Sequence, residues 1–204
     1  MFYQTDLKDH GLPHDPFKAL VAPRPIGWIS AINGKGEINL SPYSFFNAVC
    51  DTPPMVMFSS TGRKDALSFI EETKEFVCNI ATYPLREQMN ISSAPFPRGV
   101  NEMEKAGLKH VPSTLIKAPR LAETPAALEC RWLQTISLAD INGNATGNHM
   151  VVGQVVGVYI DERFIKDGLV DTAAMQPILR AGYHDYFTAL EAGRFSMTRP
   201  TISD

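Results

Sequence analysis

Met55-Val56-Met57-Phe58-Ser59-Ser60-Thr61-Gly62-Arg63-Lys64-Asp65 leads from an apolar run through a hydroxyl-rich turn into a segment with helical spacing at Ala66, Leu67, Phe69 and Ile70. The order reads strand, turn, helix start. Every part of the turn suits a phosphate. Ser59, Ser60 and Thr61 bring hydroxyl donors, and Gly62 lets the backbone approach closely. Arg63 can grip two oxygens at once, and Lys64 adds a point charge. The free N–H groups of a starting helix, with its dipole, favour an anion at the same place. Taken alone, these residues also fit a plain polar helix entry with Asp65 in the first turn.

The neighbouring segments supply short β elements. Ile26 to Ile32 is apolar, Asn33-Gly34-Lys35-Gly36 is a turn, and Glu37 to Leu40 is a return strand. Pro42 in Ser41-Pro42-Tyr43-Ser44-Phe45-Phe46 is expected to stop regular pairing. Met55–Ser59 and Phe76–Ala81 read as strands, and Asp65–Glu72 as a short helix. Leu85–Ile91 holds a turn or two of helix, and Asn101–Gly107 is a short helix closed by glycine. Ala127–Ser137 and Met150–Ile160 are the clearest later strands, the second too rich in valine to prefer a helix. Pro177–Arg180 and Tyr183–Leu190 stay ambiguous. Many strands with a few helices between them predict a mainly β antiparallel barrel with helical insertions.

The 204 residues are 44% hydrophobic and 20% charged, which fits a folded chain. A net charge of −3 provides no basic field for nucleic acid. Met1 to Asp15 has no apolar core behind a basic start, so no signal peptide is expected, and no run reaches membrane-span length. Cys50, Cys78 and Cys130 lack the paired spacing of a disulfide or zinc framework, which predicts a cytoplasmic protein with small core cysteines and no metal site. No repeat or linker divides the chain, so one domain is expected over residues 1–204, with its core at about 20–190. The glycine fingerprints of dinucleotide and Walker sites, the nucleophile elbow and the zinc-protease motif are all missing.

Several segments together resemble one family. They are Arg24-Pro25-Ile26-Gly27-Trp28-Ile29-Ser30, Asn39–Phe46, Pro53-Pro54, Ser59–Asp65, Phe76–Ile80, Asn101-Glu102 with Ala106-Gly107-Leu108, and His149 beside Val151-Val152-Gly153. In order and separation they are similar to the flavin-reductase-like FMN-binding split barrels, close to the flavoredoxin and flavoprotein-oxygenase branch. The likeness runs from about Arg24 to about Tyr186.

The resemblance implies a six-stranded Greek-key split barrel, a homodimer, and FMN near the subunit interface. Position by position, Ser59, Ser60, Arg63, Lys64 and Asp65 match the phosphate loop, with Ala66 standing where the family often has a hydroxyl. Asn39, Leu40, Ser41, Pro42, Tyr43 and Ser44 match the segment along the flavin ring. Arg24 and Pro25 match the strand start beside the ribityl chain, and Arg180 with Tyr183 a looser late pattern. His149 matches a histidine on the nicotinamide side, although Asn148 and Met150 are atypical neighbours. The implied activity is NAD(P)H:flavin reduction with NADH or NADPH as donor. An FMN electron carrier without a nicotinamide site and a monooxygenase or oxidase on a small organic substrate are the alternatives. Composition alone favours core or interface roles for Trp28, Tyr43, Phe45 and Phe46, and a structural role for His149.

Overall fold

Asn33-Gly34-Lys35-Gly36 forms the hairpin its composition predicts: the Asn33 side chain accepts from the N–H groups of Lys35 and Glu37, and Gly36 takes φ +85. The computed structural model describes residues 1–202; the last two positions of the expected domain, 203 and 204, lie outside the described residues. A short helix α1 (Phe17–Leu20) precedes β1 (Arg24–Pro25), β2 (Gly27–Ile32), β3 (Ile38–Tyr43), β4 (Phe46–Cys50) and β5 (Met55–Thr61). Then come α2 (Asp65–Thr73), β6 (Glu75–Ile80), α3 (Arg86–Ile91), α4 (Glu102–Lys105), and the small strands β7 (His110–Val111) and β8 (Arg120–Leu121). The long hairpin β9 (Ala126–Ala139) and β10 (Ala145–Ile160) follows, then β11 (Ile165–Lys166), β12 (Leu169–Val170), α5 (Thr172–Met175), β13 (Ile178–Arg180) and β14 (Tyr186–Thr188).

The main sheet is antiparallel, in the order β3-β2-β6-β9-β10-β5-β4. Its outermost strands, β3 and β4, are joined by only Ser44 and Phe45. Two residues cannot cross an open seven-stranded sheet, whose neighbouring strands lie ~4.8 Å apart, so the sheet must curl until its edges meet. At the seam the Ser59 N–H donates to the Phe45 carbonyl at 2.8 Å, and the Tyr43 and Phe58 rings meet at a tilt of 40° with centroids 4.5 Å apart. Gly27 makes room there: a Cβ on it would stand 2.5 Å from Cδ2 of Phe46. The result is the mainly β Greek-key split barrel that the resemblance implies. The main sheet adds a seventh strand, β4, to the six expected.

β2 is buried on both faces, which explains its unbroken apolar reading. Ile29 faces the barrel core with Phe58, Phe76 and Val151, closed by Leu67 and Ile70 of α2. Trp28 faces a second core with Leu40, Met89, Met103 and Ile178. Each such side chain contributes ~1.5–3 kcal/mol on burial. Cys78 and Cys130 lie in the barrel core; Cys50, at the end of β4, is only half-buried. Among the described residues no helix is long and apolar enough to cross a membrane.

Pro42 departs from its expected role. It pairs in register opposite Trp28 inside β3 rather than ending the strand. The reason is its position: β3 is a sheet edge, where a residue without an N–H costs no ladder bond if that side faces away from the neighbour.

Candidate functional site: a groove along the β3 edge

The Leu40 N–H shows which way the open side of β3 faces. It donates to Oε2 of Glu102 at 2.9 Å, away from β2. In an antiparallel pair this direction recurs every second residue, so Leu40 and Pro42 both turn their carbonyls outward. Glu102 also accepts from the Asn39 amide at 2.9 Å. Asn101 places it there by capping α4: its side chain accepts from the Met103 N–H. Glu102 is 7% exposed. Burial pushes its carboxyl above the usual range, helped by the negative charge of Asp65, while the Leu40 and Asn39 bonds pull the other way.

A cavity of about 350 Å³ runs between this edge and the start of α2. Lys64 and Asp65 form one wall, Ser41 and Pro42 another, and the Ser92–Arg98 loop the third. Gly62, at φ +76, makes the turn that brings β5 into α2. Lys64 occupies the position before the helix with extended backbone, and no side chain caps that end. Among the described residues, therefore, the first-turn N–H groups of this nine-residue helix have no side-chain acceptor, and the Lys64 ammonium beside them has no carboxylate within ion-pair distance. Asp65 acts on the loop: it pairs with Arg98 Nε at 2.8 Å and accepts from the Gly99 N–H at 2.8 Å. That tether makes the Phe96–Gly99 segment a wall of the groove.

Beyond Pro42 a second cavity, of about 500 Å³, adjoins the first; Pro42 and Ser93 line both. Arg24, Arg180 and Lys18 converge on it, with Phe17, Tyr183 and Tyr186 as aromatic walls.

The structure thus brings together on one groove Arg24, Asn39, Ser41, Pro42, Tyr43, Ser44, Lys64, Asp65 and Arg180 of the residues singled out in the sequence. Pro25 pairs with Leu179 in the small sheet β1-β13-β14 beside it. Leu40 is fully buried in the second core, so only its backbone reaches the edge. Tyr43 is buried against Phe58, and burial pushes its phenol up to about 12. Ser59 contributes its N–H to the barrel seam, and Ser60 is buried, donating to the Gly62 carbonyl at 3.1 Å. Arg63 turns along α2 into an ion pair with Glu71 and lines neither cavity. His149 lies opposite Ser60 on β10, its Nδ1 3.2 Å from the Ser137 hydroxyl, and also lines neither cavity. Two residues absent from the sequence-based set matter here, Glu102 and Arg98. The Asn-Glu helix start was visible, but its destination was not.

A split barrel with a ligand-sized groove between an open strand edge and an uncapped helix start defines a candidate ligand-binding scaffold of the β-barrel class. The chain belongs to the flavin reductase like domain family, whose model matches residues 20–177. A protein of Aquifex aeolicus is 36% identical over 176 residues, covering 83% of this chain and 86% of that protein. Among solved structures, Pseudomonas fluorescens 2-nitrobenzoate 2-nitroreductase NbaA is similar at 28% identity and a TM-score of 0.85, covering 100% of this chain and 98% of that one. Nitrilotriacetate monooxygenase component B from Bacillus cereus follows at 26% identity and 0.84, covering 97% and 98%. A split-barrel domain protein from Shewanella frigidimarina, 21% identical with a TM-score of 0.81 over 100% of both chains, shares the fold.

Proposed function

We propose that the chain is an FMN-dependent oxidoreductase that takes hydride from NADH or NADPH. The observation that carries the reading is the uncapped start of α2 with Lys64, opening onto a cavity along the free edge of β3. The donor set fits a phosphate, since helix N–H groups and an ammonium that has no carboxylate partner among the described residues stand together. The outward carbonyls of Leu40 and Pro42 are acceptors for a ring that carries an N–H. When bound, the flavin supplies the redox chemistry, accepting two electrons as hydride and passing them on.

The protein's own part is positioning and shielding. Lys64 and the first turn of α2 would hold the phosphate, and Glu102 fixes the β3 edge that walls the groove. Asp65 holds the Ser92–Gly99 loop over the groove and limits water. No acid–base residue is needed for direct hydride transfer. A homodimer belongs to the same proposal, and light scattering at micromolar concentration tests it.

Because His149 lines neither cavity, a second reading also has support, an FMN electron carrier with no nicotinamide site. One experiment separates the two. Purified protein is scanned in the visible range, with FMN added if it is colourless, then mixed anaerobically with NADH or NADPH. Flavin bands that bleach support the reductase and show which nucleotide serves. Bands that persist favour the carrier or an oxygenase. A protein that takes up no FMN overturns the proposal.

A further inference from the structure

Arg24 and Arg180 are direct partners across the β1–β13 pair. Like charges facing each other on adjacent strands destabilise a sheet, so a fold normally places a carboxylate nearby. Among the described residues neither arginine has a carboxylate within ion-pair distance, and neither does Lys18, the third cation lining the same cavity. Arg24 is 7% exposed, so its charge is also poorly solvated. Its partners are neutral carbonyls, those of Lys18 at 2.7 Å, Val21, and Ala181 at 3.1 Å, and its Nε is buried with none. Arg180 donates from Nη2 to the Tyr183 carbonyl at 2.5 Å and lies 4.5 Å from the centre of the Tyr186 ring. Among the described residues the bond to Tyr183 is the only hydrogen bond its guanidinium makes.

We propose that this cavity binds the carboxylate of a small planar aromatic acid, held by the Arg180 fork with Arg24 and Lys18 behind it. Arg24 has most of its donors on carbonyls, so the donors left on Arg180 are the ones that would meet an anion, and they match two oxygens of a carboxylate or of a phosphate alike. Carboxylate borne on a ring is favoured over free phosphate because the space beside these donors is walled by aromatic side chains. The ring is favoured because Phe17, Tyr183 and Tyr186 line the same space. The inference deepens the flavin-oxidoreductase reading and rests on it for the use of the site, which adjoins the flavin groove at Pro42. The binding itself does not require flavin.

The test is calorimetric titration of the full-length protein with benzoate, with inorganic phosphate and with FMN, in wild type, R180A, R180K and K64A. Benzoate is expected to bind wild type and to weaken about tenfold or more in R180A, the usual loss for one charged hydrogen-bonded partner. R180K, which keeps the charge without the fork, is expected to recover only part. K64A should leave benzoate binding unchanged while weakening FMN, and R180A should melt no lower than wild type because a repulsion is relieved. If R180A does not fold, R180K and K18A carry the comparison. Benzoate that fails to bind wild type, or binds R180A equally well, overturns the proposal. So does inorganic phosphate displacing benzoate with higher affinity. A protein that binds benzoate through Arg180 but takes no FMN keeps the subsite and sinks the flavin reading instead.

Discussion

The two ends of the groove, on either side of Pro42, treat charge differently. At the α2 end most cations are matched: Arg63 pairs with Glu71 and Arg98 with Asp65, and of the two cations lining that cavity Lys64 is the one without a carboxylate partner among the described residues. At the β1–β13 end three cations face one acid, Asp15, whose carboxylate is engaged with the Phe17 N–H at 2.9 Å. The difference separates architecture from binding. Charges paired within the fold hold loops and helices in place, whereas charges without partners are left for something that arrives. It also means that the basic turn residues picked out by sequence are placed differently, since Arg63 pairs with Glu71 whereas Lys64 lines the cavity.

The largest effect tests the architectural side. Replacing Glu102 with Ala removes the acceptor for two buried donors, the Leu40 N–H and the Asn39 amide. Unsatisfied buried donors cost ~1–3 kcal/mol each, so E102A should lose about 2–6 kcal/mol in urea unfolding. A loss under about 1 kcal/mol would show that the β3 edge holds itself. On the ligand side, K64A should weaken FMN about tenfold or more by fluorescence titration, as expected for one charge-assisted contact. R63A should change FMN affinity by no more than about threefold, because an exposed pair with Glu71 contributes little. If R63A proved the more damaging, the contrast between matched and free cations at this end would be wrong.

That pair of variants also marks where sequence reasoning stopped. The strand-turn-helix order through Ser59–Asp65 was legible because glycine, hydroxyls and helical spacing are local signals. The hairpin at Asn33–Gly36 and the long β9 and β10 strands were legible for the same reason, although both strands extend beyond the expected ends. Side-chain destinations were not. Arg63 finds Glu71 two helical turns along, and Glu102 reaches a strand edge 62 residues earlier. Pro42 sits inside a strand because β3 is an edge, a fact that depends on the order of the whole sheet. The cross-strand meeting of Arg24 with Arg180, 156 positions apart by subtraction of their numbers, has no local trace at all. The resemblance placed both at the site without stating why they stand together.

The smallest effect is a pH dependence, and its sign follows from burial. Glu102 has its carboxyl raised in the folded state, chiefly because the charged form is desolvated, with Asp65 adding to the shift. Lys64 and Arg98 line the same cavity, and Arg98 is paired with Asp65. An unfolded glutamate ionises near ~4.3. Between that value and the raised folded one, the folded chain holds more protons than the unfolded chain, so stability falls as pH rises through the window and levels off above it. Other carboxylates contribute their own slopes, which the variant E102Q shares, so the quantity to measure is the unfolding free energy of wild type minus that of E102Q. The difference should decline from about pH 4 upward and then flatten. A difference that rises with pH would mean that the Leu40 and Asn39 hydrogen bonds outweigh desolvation. Glu102 would then be a stabilised anion and the α2 end of the groove more negative than its pairing pattern implies.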